Sequence, residues 1–238
     1  MSLFRRILLT VTLIALPVRI AAAVPVRDWS KVAVRTPAGA FVQGNPQARV
    51  KLVEYLSLTC SHCAHFEGEA IAPLTARYIR TGLVSYEVRH ALRDPFDFAG
   101  SLLARCQGPQ SFFALLPKVF AQQNAWFSRA QAWSQIEQGQ SDNLPPDQQL
   151  PKLARGAGFD VVFGMPPARM DACLTNAEEQ KLLTAQASDA WKQPDFPGTP
   201  AFKINGVSQP NVRTWADLDA ALGSALHPHT SPRKAHRK

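Results

Sequence analysis

Residues 50–63, VKLVEYLSLTCSHC, contain the pattern that decides the fold of this 238-residue chain. β-Branched, aromatic and leucine side chains form a nearly continuous apolar run, which predicts a strand over Arg49–Ser57 that is buried on both faces. A helix is predicted to begin at about Cys60, because apolar side chains then recur at four-residue intervals. Pro73 is expected to kink this helix and Gly82 to end it.

The pattern changes twice beyond this helix. Leu83–Arg89 alternates as a second strand, so a strand–helix–strand unit with parallel strands is predicted. Helical periodicity then dominates residues 95–191, with breaks at proline- and glycine-containing stretches. The predicted helices are Phe98–Cys106, Ser111–Gln123, Ala130–Glu137, Gln148–Gly156 and Pro167–Ser188.

Strand signals return near the C-terminal end. Thr199–Ile204 is predicted as a strand, followed by a turn at Asn205-Gly206. Thr214 and Asp217 have the spacing of a capping box, which predicts a final helix. Strands at both ends and helices between them indicate one α/β domain interrupted by a helical insertion.

The Cys60-Ser61-His62-Cys63 motif carries the chemistry. Two cysteines three residues apart on the first turn of a helix lie on one face, so their sulfurs can close a disulfide. The helix N-terminus and a protonated His62 are both expected to lower the pKa of Cys60. Because the thiolate is the attacking and leaving species, this position favours thiol–disulfide exchange.

Three other uses of the motif have less support in the sequence. Zinc usually takes four ligands from two such pairs, whereas Cys106 and Cys173 stand alone and only His62 and His65 could complete a site. A c-type haem needs a histidine directly after the second cysteine, where the chain has Ala64. A purely structural disulfide gains little from closing a four-residue loop. We therefore expect a redox pair that needs neither a metal nor an organic cofactor.

Glu54 and Thr199-Pro200 are unusual residues for strands and are therefore candidates for a functional role. Glu54 shares a face of the first strand with apolar side chains, where a carboxylate is costly to bury without a role or a partner. Proton transfer to a buried thiol is one role, and a structural ion pair is the alternative. Thr199-Pro200 interrupts a strand-like run and removes a backbone donor, which places it at a sheet edge or a special bend.

The N-terminal sequence has the layout of a secretory signal peptide. Arg5 and Arg6 precede a mostly apolar stretch over residues 7–20, and Ala21-Ala22-Ala23 supplies small residues for cleavage. An uncleaved membrane anchor is the alternative. Export would place the mature chain in an oxidising compartment, where disulfides persist.

The net charge of +8 is concentrated at the two ends. Residues 1–23 and 227–238 together carry seven basic and no acidic side chains, so about +1 is left for the body of the chain. This distribution does not indicate a nucleic-acid partner. The basic tail is predicted to be disordered and to aid solubility, with contact to an anionic membrane surface as a second interpretation.

These motifs resemble the DsbA-type branch of the thioredoxin superfamily. The resemblance rests on the strand that contains Glu54, on the Cys60–Cys63 motif, on Thr199-Pro200 and on the helical insertion. It implies that Cys60 exchanges with substrate, that the buried Cys63 resolves the mixed disulfide and that Glu54 shuttles protons. It also implies a cis Pro200 facing the cysteines, beside which substrate binds together with Thr199 and Ser61. Ser61 stands where the best-studied oxidants have proline.

The sequence pattern and the resemblance together give the predicted domains. They are a signal peptide (1–23), a lead-in (24–48), a thioredoxin fold in two parts (49–94 and 192–226), a helical insertion (95–191) and the basic tail (227–238). Cys106 and Cys173 fall on separate insertion helices. We predict a second disulfide between them, as in some DsbA-like proteins, and two buried thiols are the alternative.

The expected function is a periplasmic dithiol oxidase that acts as a monomer on reduced or misoxidised exported proteins. A membrane protein linked to quinones would reoxidise it, as in the family. A reductase or isomerase on the same fold is the first alternative, although the short lead-in leaves no room for the dimerisation module that an isomerase usually needs. The second alternative is a secreted binding or chaperone module with a structural disulfide.

Overall fold

The computed structural model describes residues 27–137 and 145–227. The predicted signal peptide and nearly all of the predicted tail therefore lie outside the described residues. The strands are β1 (Ala33–Arg35), β2 (Phe41–Gly44), β3 (Val50–Leu56), β4 (Val84–His90), β5 (Ala201–Ile204) and β6 (Val207–Ser208). The helices are α1 (Ser61–Leu74), α2 (Pro95–Cys106), α3 (Gly108–Ala121), α4 (Gln123–Ile136), α5 (Pro146–Gly156), α6 (Phe159–Phe163), α7 (Pro167–Leu174), α8 (Ala177–Trp191) and α9 (Trp215–Leu226).

The strands form one mixed sheet in the order β1-β2-β4-β3-β5-β6. Only β3 and β4 are parallel, because α1 connects them, and the other neighbouring strands run antiparallel. The predicted α/β fold is confirmed, with helices α2–α8 inserted between β4 and β5. Strand β3 lies near the centre of the sheet, and a short loop connects it to the start of α1.

The core joins β3 to α1. Val50, Leu52 and Leu56 of β3 are fully buried, as are Phe66 and Leu74 of α1. Each large apolar side chain buried in this way contributes about 1.5–3 kcal/mol. The sheet and the packed face of α1 thus hold the first turn of the helix in a defined position.

Helix α1 itself ends before the predicted Gly82, but the helical path continues almost to that residue. Pro73 lies inside α1, and the chain continues through a π-helical turn at Thr75–Ile79. Gly82 then adopts a φ of 79°, in the left-handed region that glycine tolerates. A Cβ at this position would also lie 2.6 Å from the ring of Trp29. Glycine therefore suits this position for two reasons: the backbone has a positive φ, and a side chain would collide with Trp29.

Three features differ from the sequence prediction. The lead-in contains two strands, and β2 pairs with β4, so this segment extends the sheet. The single helix predicted over Pro167–Ser188 is two helices, because the Asn176 side chain caps α8 by accepting from Glu179 N. The helix predicted over Ser111–Gln123 begins three residues earlier as α3, because Gly108 and Pro109 form its first turn, where proline is tolerated.

Among the helices in the described part of the chain, none is both long enough and apolar enough to cross a membrane.

Candidate active site at the start of helix α1

Cys60 occupies the N-cap position of α1. Its Sγ donates to the carbonyl oxygen of Thr199 at 3.2 Å, although 139 residues separate the two along the chain. The Thr199–Pro200 peptide bond is cis, as the family resemblance implies. Cys60 and Cys63 are both free thiols in this structure. The fold thus brings the motif and the start of β5 into direct contact.

Several groups favour the thiolate of Cys60. A hydrogen bond from the Cys63 thiol has the largest influence and, with the backbone N–H groups of Cys63 and His62, lowers the pKa of Cys60 to about 4. Burial is the second-largest influence and raises the pKa, but the stabilising groups together outweigh it. The backbone N–H of His62 is one of these groups, and the imidazole, which was predicted to contribute through its charge, is exposed. Ser61 is exposed on the same turn.

Cys63 has the opposite environment. It is 1% exposed, and this burial is the main reason that its pKa lies far above the usual range. The hydrogen bond to Cys60 and the nearby Glu54 carboxyl raise this pKa further. Cys63 is therefore a thiol under conditions in which Cys60 is a thiolate, so the two sulfurs differ in their ability to attack and to leave.

Glu54 lies on the buried side of β3 and is 2% exposed. Burial raises its pKa to about 7, while a hydrogen bond from Tyr86 Oη to Glu54 Oε2, 2.5 Å long, partly opposes the rise. In the described structure the partner of Glu54 is this hydroxyl and not a basic side chain, so the geometry does not support the alternative of an ion pair. The carboxyl can gain or lose a proton near neutral pH.

Sequence reasoning missed a second buried carboxyl, Glu67. It lies one helical turn after Cys63 and is 3% exposed. Burial, and then the charge of Glu54, raise the pKa of Glu67 well above its usual value. Its Oε1 has no hydrogen-bond partner among the described residues. Its spacing of four residues from Cys63 was the available signal, since positions i and i+4 share a helix face.

The second pair of cysteines lies in the insertion. The structure joins Cys106, the last residue of α2, to Cys173 near the end of α7, with their Cα atoms 5.8 Å apart. Across residues 27–137 and 145–227, no three histidine, cysteine, aspartate or glutamate side chains form a group that could hold a metal ion.

Comparison with known proteins agrees with this geometry. A family model described as thioredoxin matches residues 36–224, which is most of the chain. The chain belongs to the thioredoxin family. Within this family it is a disulfide oxidoreductase, as the relatives and the solved structure at 30% identity described below indicate.

Two of the curated relatives come from Rickettsia species. A candidate protein-disulfide oxidoreductase of Rickettsia bellii is 28% identical over 196 residues, which are 82% of this chain and 68% of that protein. The corresponding protein of Rickettsia conorii is 30% identical over 82% of this chain and 64% of its own length. The chain thus spans about two thirds of the length of the curated relatives that it matches.

Two solved structures show the same thioredoxin-family fold. The protein-disulfide isomerase from Novosphingobium aromaticivorans superimposes with a TM-score of 0.69 at 30% identity, covering 78% of this chain and 96% of that one. The alpha-DsbA1 protein of Wolbachia pipientis has a TM-score of 0.62 at 18% identity, over 81% of this chain and 94% of that one. At this lower identity the likeness concerns the fold alone.

Proposed function

We propose that this DsbA-like protein is a dithiol oxidase, which transfers the Cys60–Cys63 disulfide to cysteine pairs of exported proteins. The observation that carries the proposal is the contrast between the two sulfurs, since the pKa of Cys60 is lowered and that of Cys63 is raised. A stable Cys60 thiolate stabilises the reduced protein, and a disulfide whose reduced form is stabilised is a strong oxidant.

The exchange proceeds in two steps. A substrate thiolate attacks Cys60 Sγ of the oxidised protein, the Cys60–Cys63 bond breaks, and Cys63 leaves with the bonding electron pair. A second substrate thiolate then attacks the substrate sulfur of the mixed disulfide and releases Cys60 as a thiolate. Two substrate thiols are thereby oxidised to one disulfide, and the protein gains two electrons.

Glu54 would supply the proton that the first step requires. Cys63 is buried and holds its proton strongly once it has left, so it cannot persist there as a thiolate. Glu54 influences the pKa of Cys63 directly and itself titrates at about 7. A protonated Glu54 can therefore protonate the leaving sulfur and take the proton back when the pair is reoxidised.

The substrate chain would bind beside the cis proline. Thr199 O already contacts Cys60 Sγ, so an extended substrate segment next to Thr199 and Pro200 would place its own sulfur near Cys60. Ser61 is exposed at the edge of this region. We propose that the clients are reduced or misoxidised exported proteins and that a membrane partner reoxidises the pair in the periplasm.

The reduction potential of the Cys60–Cys63 pair tests the direction of exchange. The protein would be equilibrated with defined glutathione ratios and its thiols trapped by alkylation, in a Cys106→Ser/Cys173→Ser background. A value near about −120 mV supports the oxidase, while one near about −270 mV identifies a reductase. A pair that does not exchange with glutathione would instead support a binding module with a structural disulfide.

Isomerase activity is the second candidate, because the Novosphingobium aromaticivorans structure at 30% identity is named a protein-disulfide isomerase. A potential near about −180 mV would favour this function. Refolding of a substrate with scrambled disulfides separates the two activities, since an isomerase restores native pairing and an oxidase working alone does not.

A further inference from the structure

The loop that carries the chain from β3 to Cys60 is held by side chains of the helical insertion. Leu58 lies in this loop and is fully buried. Its backbone N–H donates to Asp97 Oδ1 at 2.8 Å, and its carbonyl oxygen accepts from Gln123 Nε2 at 2.7 Å. Asp97 belongs to α2 and Gln123 to α4, so two insertion helices satisfy both polar groups of one loop residue.

Gln123 also reaches the reactive cysteine itself. Its Nε2 donates to the carbonyl oxygen of Cys60 at 3.0 Å, and the side chain is only 4% exposed. The same carbonyl accepts from Ala64 N at 3.1 Å within the first turn of α1. Because this carbonyl and the following N–H groups belong to adjoining peptide planes, holding it also orients the donors that face Cys60 Sγ.

Asp97 holds the loop from the other side. It is fully buried, and besides Leu58 N it accepts from Arg93 N at 3.0 Å. Its neighbour Asp94 accepts from the Thr59 hydroxyl at 2.5 Å, one residue before Cys60. The loop therefore has fixed partners on both sides of its backbone and little freedom to move relative to α2 and α4.

We infer that Gln123 and Asp97 are positioning residues, through which the helical insertion holds Cys60 in its reactive place at the start of α1. None of the hydrogen bonds described for these two side chains involves a sulfur atom, so they act through the loop backbone. The inference rests on the proposed function in assigning Cys60 as the exchanging sulfur. The acidity of Cys60 in the thioredoxin fold would then depend on helices of the inserted segment.

Gln123→Met tests this inference, because methionine keeps the length of the side chain but cannot donate to the two carbonyl oxygens. We expect the thiolate titration of Cys60, followed by absorbance at 240 nm, to move upward by about half a pH unit or more. The reduction potential of the pair would become more negative by about 15 mV, which corresponds to a threefold change in the exchange equilibrium.

Gln186→Met is the matched control. Gln186 is a buried glutamine of α8 whose Nε2 also donates to a backbone carbonyl, that of Ala38, at 3.0 Å. This variant should lose comparable stability without moving the titration or the potential of Cys60. If both variants leave the titration at the wild-type midpoint, or move it equally, the inference is wrong.

Asp97→Asn decides the question if Gln123→Met does not fold. Asparagine can still accept from Leu58 N but presents a donor on its other side, facing Arg93 N, so we expect a smaller upward shift in the same direction. An unchanged titration in this variant would overturn the inference. Failure of the wild-type pair to exchange with glutathione would instead contradict the proposed function, and the thiolate titration would still test the positioning role.

Discussion

The two cysteine pairs of this protein occupy opposite ends of helices. Cys60 is at the N-terminus of α1, whereas Cys106 ends α2 and Cys173 lies in the last turn of α7. Helix N-termini carry partial positive charge and C-termini partial negative charge, so only the first environment stabilises a thiolate. Solvent exposure does not account for the different ability of the two sites to stabilise a thiolate. Cys60 is only 2% exposed, whereas Cys106 in the second pair is exposed.

The pairs also differ in the loops that they close. Cys60 and Cys63 enclose a four-residue loop, while Cys106 and Cys173 are 67 residues apart in sequence. Closing the long loop restricts the unfolded chain, and closing the short one restricts it very little. One pair is therefore suited to exchange and the other to stabilisation, and this contrast can be tested from both sides.

The largest expected effect concerns the acidity of Cys60. In the Cys106→Ser/Cys173→Ser background, absorbance at 240 nm should show a thiolate titrating near pH 4, about five units below the reference value of 9.0 for a cysteine. A Cys60→Ser variant serves as the blank and should show no such transition. A midpoint above about pH 7 would remove the electrostatic contrast between the two pairs.

The next largest effect concerns stability. Replacing Cys106 and Cys173 with serine should lower the free energy of unfolding by about 4 kcal/mol, as expected for a cross-link of this loop length. Urea unfolding of the oxidised proteins measures this change. The rate at which Cys60–Cys63 exchanges with glutathione should stay within about twofold of wild type, because the second pair has no chemical role. A large loss of exchange would mean that the two pairs are not independent.

The smallest of the three effects is the pH dependence of stability that Glu54 causes beside the Cys60–Cys63 pair. The pKa of Glu54 is about 7 in the folded protein and 4.5 in the unfolded reference, so the folded state binds more protons between these values. Stability is therefore greatest below about pH 4.5 and falls as the pH rises through about 7, by up to about 3 kcal/mol. A Cys60→Ser background removes the opposing contribution of the thiolate.

Urea unfolding between pH 4.5 and 8 measures this dependence. In that background, Glu54→Gln should show a shallower decline than the unsubstituted carboxyl. Some decline should remain, since burial also raises the pKa values of Asp97 and Glu67. Parallel stability profiles for the two proteins would show that Glu54 does not titrate in this range, and its proposed role as proton donor would be lost.

The local pattern of the sequence was sufficient to predict many of the helices, strands and turns. The apolar run of β3, the start of α1 at the motif, and the capping box of Thr214 and Asp217 depend on interactions within a few residues. The Asn205-Gly206 turn is equally local, since both residues adopt positive φ values, as a two-residue hairpin requires. The β1–β2 hairpin of the lead-in was missed, because its strands are only three and four residues long and β2 joins the sheet through the distant strand β4.

For the site, the sequence by itself predicted Cys60 and Cys63 as the exchanging pair and identified Glu54 as a residue of interest, because a CxxC motif at a helix start and a carboxylate in an apolar strand are visible in a single segment. Only the tertiary structure decided that Tyr86, and not a cation, faces Glu54, and that Asp97 and Gln123 hold the loop before Cys60. Periodicity indicates which side chains are buried. It does not indicate which polar partners they meet, because such contacts join residues that are tens of positions apart.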